Sequence, residues 1–293
     1  NYAEGTIIAS GCSRDFMEKL ASNLKLKIQA LSSAPAVDTY EINSPRTGLY
    51  QSWVTANDEG WTRYVLDEQE FNYHILHDAE IRAGHLAAAY DAIILPDHYS
   101  VDLMINGHQK GTMPPDYVGG LTVTGINNLK EFVKEGGTLI FMNTTCNLAT
   151  QEFKAPVRNI LEKARREEFN CVGSILQAEF DLSHPVAYGL SNPQPVVFAD
   201  SCAFDVYPSF TDKNAPRVVA RYAGDRLLLS GWIYGQNLVQ QKAAIVEVPV
   251  EKGRLILLGF PVQYRAQPRG TFKLLFNSIF YSSVKTGSGQ KDR

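Results

Sequence analysis

Residues 138–150, TLIFMNTTCNLAT, run from an unbroken apolar stretch into a polar turn that carries Cys146. A short apolar run closed by turn chemistry describes a strand buried on both faces, as in a parallel sheet. The preceding residues agree with this. Ile126, Leu129, Phe132 and Val133 recur at helical spacing, and Gly136-Gly137 stops the helix before the strand begins.

The same rhythm extends upstream. RTGLY (46–50), NYHIL (72–76) and YDAIILPDH (90–98) read as strands, and DEGWTRYVLDEQ (58–69) and DAEIRAGHLAAA (78–89) as the helices between them. Strands joined by helices at this interval predict an α/β fold with a parallel sheet covered on both faces. A Gly- and Pro-rich excursion occupies 101–120. Beyond residue 169 the pattern changes to short β runs separated by turn signals, which predicts antiparallel additions in the C-terminal half. Phe272, Leu275, Phe276, Ile279 and Phe280 mark a final helix that docks on the sheet.

The first 43 residues read as a small β-α-β segment, the end of a preceding domain or a piece packed on the main one. Its elements are a strand at 6–9, a helix carrying Phe16, Leu20 and Leu24 with Ser13 as N-cap, and a second strand. A Ser/Ala/Pro-containing linker leads to the main domain, 46–283. The tail 284–293 is expected to be disordered. The start at NYAEG, without Met, is that of a processed form or an excised segment.

With 28 Lys and Arg against 31 Asp and Glu, the net charge is -3, which provides no electrostatic footprint for nucleic acid or an anionic membrane. No window approaches the roughly 18 apolar residues of a membrane span. The four cysteines are far apart and form no CxxC pair, and no glycine-rich phosphate loop is present.

In an open α/β sheet, ligands collect at the carboxyl ends of the strands. That rule selects Gln51 and Trp53 after the first strand, Asp97 and His98 after the third, Thr144, Thr145 and Cys146 after TLIFMN, and Gln263 and Arg265 after the last. A cysteine hydrolase would need Cys146 on a sharp elbow beside an activating base. Thr144 and Leu148 stand where small residues would sharpen the elbow, so Cys146 is expected to be structural or part of a pocket wall. His98 is the best base if it is instead a nucleophile. Asp97 reads as a helix cap and His98 as solvated. His77 and Glu80 have H-x-x-E metal-ligand spacing, with His184 downstream as a weak third ligand. Trp53, Trp61, Trp232, Tyr50, Tyr234 and Tyr264 could line a groove, although most aromatics are core.

Residues 48–97, 136–149, 183–189 (SHPVAYG) and 253–281 together resemble the C-terminal class I glutamine-amidotransferase-like domain of some large bacterial zinc carboxypeptidases, over about Arg46 to Tyr281. The resemblance implies a flavodoxin-like fold in a secreted or periplasmic protein. It also implies a peptidase domain of the same polypeptide as partner and zinc only in that domain, with no cofactor in this segment. The family's G-x-C-x-G meets TTCNL, in which Cys146 matches and both glycines are missing. Its His and Glu after the last strand meet PVQYRAQ, which has neither. The expected function is that of a non-catalytic accessory domain, a pseudoenzyme with structural, partner-contact or small-molecule-binding roles. The alternative is an active hydrolase or amidotransferase using Cys146.

Overall fold

The computed structural model describes residues 6–33, 35, 39–208 and 215–284. Helix α1 (Arg14–Leu24) precedes the first parallel strand, β1 (Thr47–Tyr50), and α2 (Asn57–Glu68) follows it. Then come β2 (His74–Leu76), α3 (Asp78–Ala83), α4 (Leu86–Ala89), β3 (Ala92–Leu95), α5 (Val101–Asn106), α6 (Thr122–Lys134), β4 (Thr138–Met142) and α7 (Cys146–Gln151). The C-terminal half adds β5 (Val157–Asn159), β6 (Ser174–Phe180), β7 (Gln194–Phe198), β8 (Phe204–Val206), β9 (Arg217–Tyr222), β10 (Leu228–Ser230), β11 (Ala243–Val250), β12 (Gly253–Leu258) and α8 (Phe272–Tyr281).

All strands join one twelve-stranded sheet. Its parallel part runs β2-β1-β3-β4-β12, the flavodoxin-like order with its switch point between β1 and β3. From β12 the sheet continues antiparallel through β11, β9 and β6, and β7, β10, β8 and β5 pair along its edges. The expected fold class, including the antiparallel additions, is therefore present.

Alternation along each strand sends neighbouring side chains into opposite layers. Leu49, Ile94, Ile140 and Ile256 pack with Leu66 of α2 and with Leu274, Leu275 and Ile279 of α8. Tyr50, Ile93, Leu139, Phe141 and Leu255 pack with Ile81 of α3 and with Ile126, Leu129, Phe132 and Val133 of α6. Both faces are covered, which explains why every residue of β1, β3, β4 and β12 is buried instead of alternating with exposed ones. The turn into β4 requires its glycines. Gly136 has φ 120°, and a Cβ on Gly137 would lie 2.3 Å from the Phe132 ring.

Some expectations change. Residues 6–33 hold α1 and no strand, and the apolar residues on either side of the helix are exposed instead of being covered by a sheet. The 78–89 helix breaks at Gly84 and His85, whose positive φ values of 80° and 56° interrupt the helical backbone. Of the expected tail, 285–293 lies outside the described residues. Val284 is buried, and its carbonyl accepts from Arg254 Nη2 at 3.2 Å.

Candidate functional site

The loops leaving β1 and β3 border a shallow, partly open cleft at the switch point, lined by Gln51, Ser52, Thr55, Glu59, Asp97 and His98 among others. Trp53 follows in the same β1 loop. The indole stacks on His77 with ring centroids 3.8 Å apart and meets Tyr117 edge-on at 4.5 Å, and its carbonyl accepts from His108 Nε2 at 3.1 Å. The Gly- and Pro-rich excursion is thereby packed against the β1 loop.

Asp97 is the best-connected polar group of the site. Asn143 Nδ2 donates to its Oδ2 at 2.7 Å, Thr144 N donates to Oδ1 at 3.1 Å, and the Thr144 hydroxyl contacts Oδ1 while lying 2.7 Å from the His98 carbonyl. The carboxyl thus ties the end of β3 to the turn after β4, and the helix that follows Asp97, α5, takes its N-cap from Ser100 instead. Burial raises the Asp97 pKa, against the pull of the Thr144 and Asn143 donors.

Asp58, in the first turn of α2, completes a pair. Burial and the negative charge of Asp97 push its pKa up to about 6, while Gln263 and Arg265 pull it down. Gln263 Nε2 donates to Thr62 Oγ1 at 3.0 Å and to the Asp58 carbonyl at 3.3 Å, which places the loop after β12 over the start of α2. Glu59 also faces the cleft and is held by Arg63 at 2.6 Å. Asp58 and Asn143 are the residues that the sequence did not single out. An acidic residue opening the helix after the first strand was the available signal for Asp58. Asn143 read as the end of a strand.

Asn143 is the residue that turns the chain. With φ 51°, it follows Met142 directly at the end of β4, and asparagine tolerates this left-handed backbone better than most residues. In a hydrolase of this architecture the strand-to-helix elbow displays the nucleophile. Here the elbow displays an amide engaged with Asp97 and the Ala199 carbonyl. Cys146 lies three residues further on, inside the first turn of α7. It is 0% exposed, and its Sγ donates to the Phe141 carbonyl at 3.6 Å. Burial pushes its thiol well above the ordinary value, and Cys202 and Asp97 act in the same direction.

His98 is buried, not solvated, because its ring is held by backbone on both sides. Nδ1 accepts from Ser100 N at 3.2 Å and Nε2 donates to the Val54 carbonyl at 3.0 Å, so neither nitrogen is open to Cys146. Thr145 is structural. Its hydroxyl binds the Leu95 and Met142 carbonyls at 3.0 and 2.7 Å. Each of the three metal-ligand candidates is engaged in a hydrogen bond of its local structure. His77 Nδ1 donates to the Gln51 carbonyl, Glu80 accepts from His77 N, and His184 is hydrogen-bonded to Glu247 at 2.7 Å. Among the described residues, no three His, Cys, Asp or Glu side chains converge as a metal site. Of the aromatics, Tyr50 lines the cleft. Trp232 and Tyr234 are exposed beside the edge strand β10.

No protein-family model matches the chain, and no curated protein matches its sequence. Solved structures do match. A cytoplasmic protein from Salmonella typhimurium is 14% identical, with 82% of this chain and 99% of that one covered and a TM-score of 0.51. A second cytoplasmic protein, from Salmonella typhimurium LT2, is 12% identical over 82% and 99% of the two chains, with a TM-score of 0.50. A candidate GMP synthase component from Thermoplasma acidophilum is 10% identical over 82% and 94%, with a TM-score of 0.47. At such identities the likeness is one of fold, and a fold hosts many functions.

Proposed function

We propose that the chain is a non-catalytic glutamine-amidotransferase-like module whose strand-end cleft holds a small polar molecule by hydrogen bonds and charge. One observation supports this above the others: the elbow after β4 carries Asn143, while the nearby cysteine is sealed beneath it. Asp97, braced by donors from Thr144 and Asn143, supplies a polar floor, and Glu59, Gln51 and Ser52 supply walls at the position where this topology collects ligands. The sequence resemblance extends the proposal. The module would serve a larger zinc-carboxypeptidase-like protein, secreted or periplasmic, in contact with a peptidase domain that carries the zinc.

Iodoacetamide labelling at neutral pH, with assays of glutamine and p-nitrophenyl ester hydrolysis, tests the absence of catalysis. Cys12 is exposed and serves as the internal control that labels in the native state. Cys146 should label only in denaturant, and hydrolysis should not exceed that of buffer. Turnover that Cys146→Ala abolishes would overturn the proposal.

A further inference from the structure

We infer that residues 107–119 form a hinged flap that controls one wall of the strand-end cleft, closed when it holds Trp53 and open when it swings away about a neck between Gly107 and Gly119. The inference rests on the cleft reading above only for what the flap controls. The chain enters and leaves this excursion through a single pinch. Gly119 N donates to the His108 carbonyl and Leu121 N to the Met104 carbonyl, both at 2.9 Å, and a Cβ on Gly107 would overlap the Gly119 carbonyl. Gly107 and Gly119 have φ values of 62° and 82°, a backbone that glycine adopts without strain. A loop with its ends joined in this way is an Ω-loop, and the two glycines give it a swivel. Beyond the neck, Pro114, Pro115 and the short 3₁₀ turn Pro115–Tyr117 stiffen the far side, so that it moves as a unit.

Little holds the flap down. Every residue from Gln109 to Tyr117 is exposed. Among the described residues, the hydrogen bond and the ring contact that join 108–118 to the rest of the protein both end on Trp53: His108 Nε2 donates to its carbonyl at 3.1 Å, and the Tyr117 ring meets the indole edge-on. Trp53 belongs to the β1 loop, whose Gln51, Ser52, Thr55 and Ala56 line the cleft. Three histidines fasten that loop by its carbonyls. His77, just after β2, holds Gln51 at 2.9 Å, and the buried His98, after β3, holds Val54 at 3.0 Å. Both of these are rooted at strand ends of the sheet. The third, His108, is carried by the flap, so opening releases the middle of the wall while its two ends stay pinned. Helix α5, which leads into the neck, supplies Met104 to the same cleft, and the hinge therefore lies beside it.

Trypsin reports on the flap directly, because Lys110 in its exposed part is the only Lys or Arg between Arg82 and Lys130. Cleavage of a folded loop follows the population of its open form. In the full chain, with products identified by mass spectrometry, His108→Ala and Tyr117→Ala should each speed cleavage at Lys110 about fivefold, the effect of losing one modest contact, and the double variant should exceed either alone. Deuterium exchange reads the wall. Amides of 52–55 should exchange about fivefold faster in each variant, while those of β4 keep the parent rate and show that the fold is intact. Faster cleavage with unchanged exchange at 52–55 would make 107–119 a loose loop without control of the wall and overturn the inference. Cleavage at Lys110 that neither variant alters would overturn it as well. Either result leaves the non-catalytic proposal standing, since that is judged by Cys146-dependent turnover.

Discussion

The side-chain amide of Asn143 donates to Asp97 Oδ2 at 2.7 Å, joining the residue that turns the chain after β4 to the carboxyl that ends β3. Two costs therefore fall on one substitution. Asn143→Ala puts a less tolerant residue at φ 51° and removes a hydrogen bond to a partly buried carboxyl, for a loss of about 2–3 kcal/mol. Asn143→Gly relieves the backbone but not the lost bond and should cost about 1 kcal/mol less. Urea unfolding of both variants checks this. Equal losses would show that the left-handed turn contributes nothing.

Asp58 imposes a pH dependence of known sign. Its pKa in the folded protein is about 6, against about 3.9 for an unperturbed aspartate. A group raised on folding contributes fully below the unfolded value and loses that contribution as pH rises through the folded value. Stability should therefore fall between about pH 4 and pH 7. Asp58 is half-buried, so screening reduces the effect to about 1 kcal/mol. Asp58→Asn should be more stable than the parent at pH 7.5 by that amount and equal to it near pH 4, measured by denaturant titration at both values. The same gap at both would exclude ionisation of Asp58 as the cause.

The parallel core was legible because its central strands carry continuous apolar runs and are separated by amphipathic helices. TLIFM and AIIL read as buried strands without any knowledge of their partners. The three-residue β5 and β8 and the six-residue α5 and α7 were not legible, since such short elements carry too little periodicity and depend on tertiary contacts. The strand-end rule located Asp97, Thr144, Gln263 and Arg265, all of which gather at one end of the sheet. It could not reveal that the turn falls on Asn143 and not on Cys146. That depends on one backbone dihedral, which asparagine permits but does not announce.

Helix α1 has eleven residues, a Ser13 cap on Phe16 N at 3.3 Å, and no buried side chain. An isolated helix of that length is marginal in water. Its amides should exchange with deuterium within about tenfold of the unstructured rate, while those of β4 and β12 exchange only on global unfolding. Mass-spectrometric exchange resolves the two regions. Strong protection of 14–24 would mean that Phe16 and Leu24, both exposed in this chain alone, are covered in solution.

Far from the cleft, Glu247 lies at the centre of a buried charged group. His184 Nε2 is 2.7 Å from Oε2, and Arg254 Nε and Tyr281 Oη are 3.5 and 3.4 Å from Oε1. Burial alone would raise the Glu247 pKa. The His184 hydrogen bond and the charges of Arg254 and Arg217 reverse this and hold it below the usual range. A depressed carboxyl contributes stability above its unfolded pKa of about 4.3 and loses it as pH falls through the lower folded value. Arg254 also stacks on the Tyr281 ring at 3.9 Å and binds the Tyr281 carbonyl, so this charge balance fixes the end of α8. Glu247→Gln keeps the shape and removes the charge, leaving Arg254 buried without its anion, and should cost about 3 kcal/mol at pH 6. As pH falls through the lowered folded value, the parent protein also loses the charge and the gap should narrow. Guanidinium unfolding of both proteins in a pH series descending from 6 measures it, and a gap that stays constant to the lowest pH at which both remain folded would place the effect in packing and not in the carboxylate charge.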